Sequence, residues 1–150
     1  MRVSTKGRYG LRAVLDLAMN GGDRPVPLNE ISERQDISLS YLEQIFNTMK
    51  RAGLVDSKPG AGGGYRLARE PEKITAGDVM RVVEGPMRPV DCGRGSCRIK
   101  CDRDGKCATQ VLWNNLGSKI EEFLDSVTIK DLMETSNRPG RNNISLLEMF

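Results

Sequence analysis

A chain of 150 residues suits one domain, or one small domain with an appended helix, and at that length burial of roughly 70% of the unfolded surface makes covalent staples unnecessary. The net charge of +3 is unevenly spread: residues 1–69 hold 11 Lys/Arg against 7 Asp/Glu, and residues 111–134 hold 2 against 5, so a polyanion would bind the front half. With no apolar run near the roughly 20 residues that span a bilayer and no signal-peptide stretch at the N-terminus, the expectation is a soluble cytoplasmic protein without disulfides.

In chain order, the first helix is predicted over about Thr5–Met19, where Leu11, Val14, Leu15 and Ala18 form one stripe. Gly21 and Gly22 stop it, and a short helix follows with Leu28 and Ile31 inward. The polar break Gln35-Asp36 leads to Ile37 and a third helix, from about Ser38 to Arg51, that buries Leu42, Ile45, Phe46 and Met49. Ser38 or Ser40 is placed to cap it, and Ser40 with Glu43 has the spacing of a capping box. Gly53 ends it at a position suited to left-handed backbone.

Two short strands, Leu54–Lys58 and Tyr65–Ala68, flank a glycine-rich turn and read as a hairpin. Helix, helix and hairpin in that order predict a winged helix-turn-helix, hence a mainly α fold with a small β-hairpin. A fourth helix near Ala76–Glu84 opens with the cap-like pair Thr75 and Asp78. From Gly85 the periodicity vanishes and all four cysteines fall in a loop. A long helix to about Val127 then carries Leu112, Leu116, Ile120, Phe123 and Val127 on one stripe, with Trp113 at its flank. An isolated stripe needs a cover, so this is expected to be a dimerisation helix, with packing back on its own domain as the alternative. The expected division is residues 1–84 for DNA binding, 85–107 for the cysteine loop, 108–135 for dimerisation and a short last helix, and 136–150 for a polar tail expected to be mobile.

A helix in the major groove presents its exposed face to base edges. On the third helix the apolar stripe leaves Ser38, Ser40, Tyr41, Glu43, Gln44 and Asn47 outward, with Lys50 and Arg51 at the far end. Gln44 has the donor and acceptor for adenine, Glu43 accepts from the cytosine amino group, and Ser40 and Tyr41 suit phosphates. The wing is expected to bring Lys58 and Arg66 to phosphates, with Gly63 and Gly64 allowing close approach of its backbone. Arg2 and Lys6 complete the candidate DNA-binding set. No Lys-Ser/Thr follows the glycines and no helix opens there, which excludes a P-loop. With no histidine, no Ser/Asp constellation and no substrate motif, the chain is not expected to be an enzyme.

The cysteines run Cys92-x4-Cys97-x3-Cys101-x5-Cys107, without the tight pairs and long insert usual in structural zinc sites. Four thiolates suit a [2Fe–2S] core or a [4Fe–4S] core. Arg88, Arg94, Arg98, Lys100, Arg103 and Lys106 outnumber Asp91, Asp102 and Asp104, so the loop can offset an anionic centre and favour thiolates. Spacing alone leaves zinc and redox-active thiols open beside iron–sulfur. In functional terms the alternatives are a zinc-structured transcription factor without sensing and a small iron–sulfur electron-transfer protein.

The stretch from Ile31 through Ser38-Leu39-Ser40-Tyr41-Leu42-Glu43-Gln44 strongly resembles the iron–sulfur cluster regulators of the IscR type. So do Ser4 to Tyr9, Gly62-Gly63-Gly64-Tyr65, and Ala108 to Trp113; the resemblance covers roughly residues 1–135. It implies a homodimer on promoter operator DNA, cluster-gated repression or activation of cluster-assembly, iron or stress genes, [2Fe–2S] as the favoured cofactor, and the cluster-assembly machinery as donor. Three family cysteines map onto Cys92, Cys97 and Cys107. Where the family has a histidine three residues after its last cysteine, this chain has Gln110, a poor iron ligand; the extra Cys101 is therefore the expected fourth ligand. Relatives that sense nitric oxide recruit an acidic residue at the place of Arg8, and close relatives read the minor groove with a basic residue at the place of Pro59, beside Lys58.

Overall fold

The computed structural model describes residues 3–90 and 106–137. Its elements are α1 (Thr5–Asn20), α2 (Leu28–Gln35), α3 (Leu39–Arg51), β1 (Val55–Lys58), β2 (Gly64–Leu67), a 3₁₀ turn over Pro71–Lys73, α4 (Ala76–Glu84), α5 (Ala108–Ser126) and α6 (Ile129–Ser136). The winged helix-turn-helix is the architecture observed.

One core joins α1, α2, α3, β1 and α4. Val14, Leu17, Ile31, Leu42, Ile45, Phe46 and Val79 are all at or near zero exposure. Each helix contributes a single stripe at helical spacing, as apolar burial requires. Between α2 and α3 the chain reverses at Asp36, whose φ of 52° is left-handed, a conformation that Asp tolerates better than most side chains. The Ser32 hydroxyl donates to the Ile37 carbonyl at 2.6 Å and holds that turn closed.

β1 and β2 pair antiparallel in the register Val55–Leu67, Asp56–Arg66, Ser57–Tyr65 and Lys58–Gly64. A second short pairing supports the wing. Val26 and Tyr65 exchange both backbone bonds at 2.7 and 2.8 Å, which pins the α1–α2 connection to the hairpin. Tyr65 in turn packs edge-on against Phe46 of α3, with ring centroids 4.9 Å apart.

The C-terminal elements return to this domain. Ala76 N–H donates to the Val127 carbonyl and Ile129 N–H to that of Ile74, both at 2.8 Å, so the chain leading into α4 lies antiparallel to the chain leading into α6. Each of these two helix starts is closed by a capping box, Thr75 with Asp78 and Thr128 with Asp131. Ile129 is fully buried in the common core. One expectation needs correction here: Val127, assigned to the dimerisation stripe, is buried within its own chain, beside the short last helix α6.

Candidate nucleic-acid interface and cysteine site

The start of α1 is held from a distance. Ser4 takes the N-cap position, and its side chain accepts from Gly7 N–H. The Glu84 carboxylate, at the other end of the domain sequence, accepts from Ser4 N–H at 2.9 Å, Gly7 N–H at 3.0 Å and the Ser4 hydroxyl. A carboxylate at a helix N-terminus meets unpaired amides and the positive end of the helix dipole. Lys6 projects from this anchored turn and is half-buried, whereas Arg2 lies outside the described residues.

α1 is also locked to the helix-turn-helix. Asp16 is buried, and its carboxylate accepts from Arg34 Nη2 at 2.7 Å, from Arg34 Nε at 3.1 Å and from Gln35 Nε2 at 2.8 Å. The bond to Asp16 raises the Arg34 guanidinium further above its ordinary range, against the effect of burial. Arg12 spans the same gap, donating to the Gln35 carbonyl at 2.6 Å and lying over the Tyr9 ring. These contacts fix where α2 ends and therefore where α3 begins.

The outer face of α3 is open. Ser38, Ser40, Glu43, Gln44, Asn47, Lys50 and Arg51 are all exposed. Ser38 occupies the N-cap position without a side-chain cap bond, and the helix starts at Leu39. The expected Ser40–Glu43 capping box is therefore absent: Ser40 sits inside the first turn, and both side chains are left outward. Tyr41 is half-buried and packs edge-on against Tyr9, with centroids 5.9 Å apart, so its ring serves packing between helices rather than standing free on the reading face.

On the wing, Lys58 and Arg66 are exposed; Arg66 approaches Asp56 across the strands at 4.0 Å. Gly63 and Gly64 have an intramolecular reason to be glycine. A Cβ on Gly63 would collide with the Lys58 carbonyl, and one on Gly64 with the backbone of Val26. Gly63 is buried and Gly64 half-buried.

Of the four cysteines, Cys92, Cys97 and Cys101 lie outside the described residues, as does most of the basic loop. Cys107 is half-buried at the N-cap of α5, with its Sγ 3.1 Å from the Thr109 hydroxyl. Gln110 N–H donates to the Cys107 carbonyl at 3.1 Å. A sulfur at a helix N-terminus is electrostatically favoured as thiolate, the form that ligates metals. It is neither sealed in the apolar core nor joined in a described disulfide. Among the described residues no group of three His, Cys, Asp or Glu side chains is positioned to hold a metal ion.

The segment before the cysteines is docked on the same helix. Met87, Arg88, Pro89 and Val90 line a shallow cleft with Trp113, Gly117, Ser118 and Glu121 of α5. Gly117 is buried beneath Pro89, and a Cβ there would lie a tight 3.2 Å from the Pro89 ring. At its far end α5 is tied down by Arg81, which bonds Asp125 at 2.7 Å and Asp78 at 3.2 Å. Its outer face remains open, with Val111, Leu112, Leu116 and Phe123 exposed. No helix of the described residues is long and apolar enough to cross a membrane.

A helix-turn-helix with an open polar face, a wing beside it and basic residues on both define a winged-helix DNA-binding regulator. The Rrf2 family profile, described as an iron-dependent transcriptional regulator, matches residues 3–135. The transcriptional regulator IscR of Photobacterium profundum is 44% identical over 137 residues, covering 91% of this chain and 78% of that protein. IscR of Vibrio cholerae is 45% identical over 134 residues, covering 89% and 75%. Among solved structures, T. potens IscR superposes with a TM-score of 0.75 at 41% identity, covering 93% of this chain and 94% of the other. CymR, the global cysteine regulator of B. subtilis, gives 0.74 at 41% identity, covering 89% and 97%. The chain belongs to the Rrf2 family: it is an IscR-like helix-turn-helix transcriptional regulator and not an enzyme.

Proposed function

We propose that this regulator binds an iron–sulfur cluster through Cys92, Cys97, Cys101 and Cys107, and that the state of the cluster sets its affinity for promoter DNA. The observation that carries this reading is the tether around Cys107. Val90, docked on α5, and Cys107, at the start of α5, bracket the run that holds the other three cysteines. Both ends of that run are therefore anchored to one helix, and closing a short loop onto a fixed sulfur is entropically cheap. Family membership alone is a weaker warrant, since one close structural relative is named for cysteine regulation.

The donor chemistry fits. Four soft thiolates and no histidine match an all-sulfur ligand set, and the surplus of arginine and lysine offsets its charge. A bound cluster would supply a redox-active, oxygen-labile centre whose presence or oxidation state differs between cellular conditions. The chain's own residues supply the readout. α5 is capped by Cys107 and, near its other end, pairs Asp125 with Arg81 of α4, so a packed path links the loop to the domain that carries α3. The exposed face of α5 is proposed to meet a second copy, which gives a homodimer with two α3 helices on an operator. Repression of cluster-assembly, iron or stress genes is the regulatory output proposed, with [2Fe–2S] as the favoured core and the assembly machinery as its donor.

Purification without air, followed by visible absorption and by iron and sulfide analysis, tests the reading. The expected protein is coloured, with iron and sulfide in equal amounts; a colourless protein with stoichiometric zinc would overturn it. Cys101→Ala should lose or weaken the chromophore, and Gln110→Ala should keep it. For the DNA contact, Gln44→Ala should cost about 1–3 kcal/mol on the selected operator and far less on random duplex, because a bidentate base contact is lost. An equal loss on both would reduce Gln44 to a backbone contact.

A further inference from the structure

The exposed large apolar side chains of the described residues fall into two settings. Four of them, Val111, Leu112, Leu116 and Phe123, share the open face of α5, and Val3 and Met19 lie near the ends of α1. Leu39 stands apart from both. It is 42% exposed, the first residue of α3, and the only such residue of the described helix-turn-helix. Its neighbours in sequence are Ser38 and Ser40, both exposed, and one turn on lies Glu43, also exposed. The buried stripe of α3 begins at Leu42, so packing of the domain does not account for Leu39.

An apolar group at the first position of a groove-reading helix has a chemical counterpart in DNA. Side chains of a helix tilt toward its N-terminus, which is the end that enters the groove first. In the major groove the sole apolar feature of any base pair is the C5 methyl of thymine. The serines and Glu43 can match polar base edges or phosphates, whereas Leu39 can match only that methyl. Resting on the reading of α3 as the groove helix, we infer that Leu39 is a specificity residue that reads a thymine C5 methyl at one position of each operator half-site. Its contribution lies in removing two apolar groups from water together, and it discriminates thymine from cytosine without a hydrogen bond.

The probe is the methyl group itself. Operator duplexes selected from a random pool by the native chain, in its anaerobically purified and cluster-stripped forms, are resynthesised with deoxyuridine in place of each thymidine in turn. Affinities are measured by fluorescence anisotropy for the native chain and for Leu39→Ala. At one position per half-site the missing methyl should weaken native binding by about three- to tenfold, in keeping with the burial of a methyl-sized group. Leu39→Ala should bind the unmodified operator weaker by a similar factor and be indifferent to deoxyuridine at that position. Its selected pool should lose the thymine there, and its thermal unfolding should match the native chain, since the side chain is open to solvent.

Equal responses of the two proteins to every deoxyuridine, or an unchanged consensus for Leu39→Ala, would overturn the inference while leaving the reading of Glu43 and Gln44 intact. A native chain that selects no sequence from the pool would instead overturn both. Loss of affinity by Leu39→Ala in equal measure on operator and on random duplex would make Leu39 a backbone contact, which also refutes it.

Discussion

α3 and α5 carry the same kind of apolar stripe, and the fold treats them in opposite ways. Leu42, Ile45, Phe46 and Met49 of α3 are fully buried, whereas on α5 Leu112, Leu116 and Phe123 remain 57%, 42% and 47% exposed. α5 is held by its other edge, through Gly117 beneath Pro89 and Asp125 against Arg81. Periodicity decides which face of a helix is apolar; it does not decide what body covers that face. The stripe of α3 is buried within the core of its own domain, and the stripe of α5, which follows Cys107, is left open among the described residues.

The strongest way to break this contrast is to truncate one apolar side chain on each helix. Phe46→Ala should cost about 3–5 kcal/mol in urea unfolding, because a fully buried aromatic leaves both lost transfer energy and a cavity. Leu112→Ala, measured at dilutions where the chain is single, should stay within about 0.5 kcal/mol, as exposed substitutions do. At higher concentration the same variant should shift sedimentation toward the single chain if a second copy covers α5. Equal unfolding costs for the two variants would show that α5 is buried in its own chain and remove the contrast.

Polar contacts divide along the same line. Asp16, on the buried face of α1, has three donors aimed at it from Arg34 and Gln35 of α2, and its side chain is 3% exposed. Asp16→Asn puts an amide where a carboxylate accepted charge-assisted bonds. It should cost about 1–3 kcal/mol, the range for leaving buried partners mismatched, with the partial exposure of Arg34 moderating the loss. Lys119 and Glu122 on α5 approach at 2.6 Å, but both are open to solvent. Lys119→Ala should fall within about 0.5 kcal/mol of native, as exposed pairs do. Thermal unfolding of the two variants side by side checks the ranking.

Much of the domain was legible because its determinants are local. The stripe of α3, the breaks at Gly21-Gly22 and Gly53, and the Thr75-x-x-Asp78 cap are read within a few residues, and the structure has each of them. The contacts that escaped are those between distant segments. Asp16 was the detectable one, a charge among Val14, Leu15 and Leu17 on an apolar face, which demands a buried partner. Nothing local named Arg34, 18 positions away, and nothing placed Glu84 on the Ser4 turn, 80 positions away. The pairing of the segments that lead into α4 and α6 had a faint signature, Ile74-Thr75-x-x-Asp78 echoed by Val127-Thr128-x-x-Asp131, but a repeated cap does not specify that two caps meet. Of the candidate site, the exposed face of α3 was legible by subtraction of its core stripe, with Tyr41 the exception. At Gly63 the requirement of the turn itself was not legible, because a glycine needed for DNA approach and one needed for its own turn look identical in sequence.

The smallest effect belongs to the link between the 3₁₀ turn and α6. Lys130 Nζ lies 2.8 Å from Glu72 Oε1, with both side chains about half exposed. Its hydrogen bond holds the Glu72 carboxyl below its ordinary value of 4.5 and raises the Lys130 ammonium above 10.5. A depressed carboxyl stabilises the fold above its unfolded value and loses that contribution as pH falls through the lower folded value. A raised ammonium stabilises below its unfolded value and loses its part as pH climbs through the higher folded one. Glu72→Gln should therefore lower the melting temperature slightly across the neutral range, with the difference closing as pH drops below 4.5 and also closing in high salt. A gap that persisted at acid pH would trace to the altered side chain rather than to its charge. One as large as that of Asp16→Asn would mean that α6 is clamped as firmly as α2, and that the acidic C-terminal elements are no more separable from the domain than its own core helices.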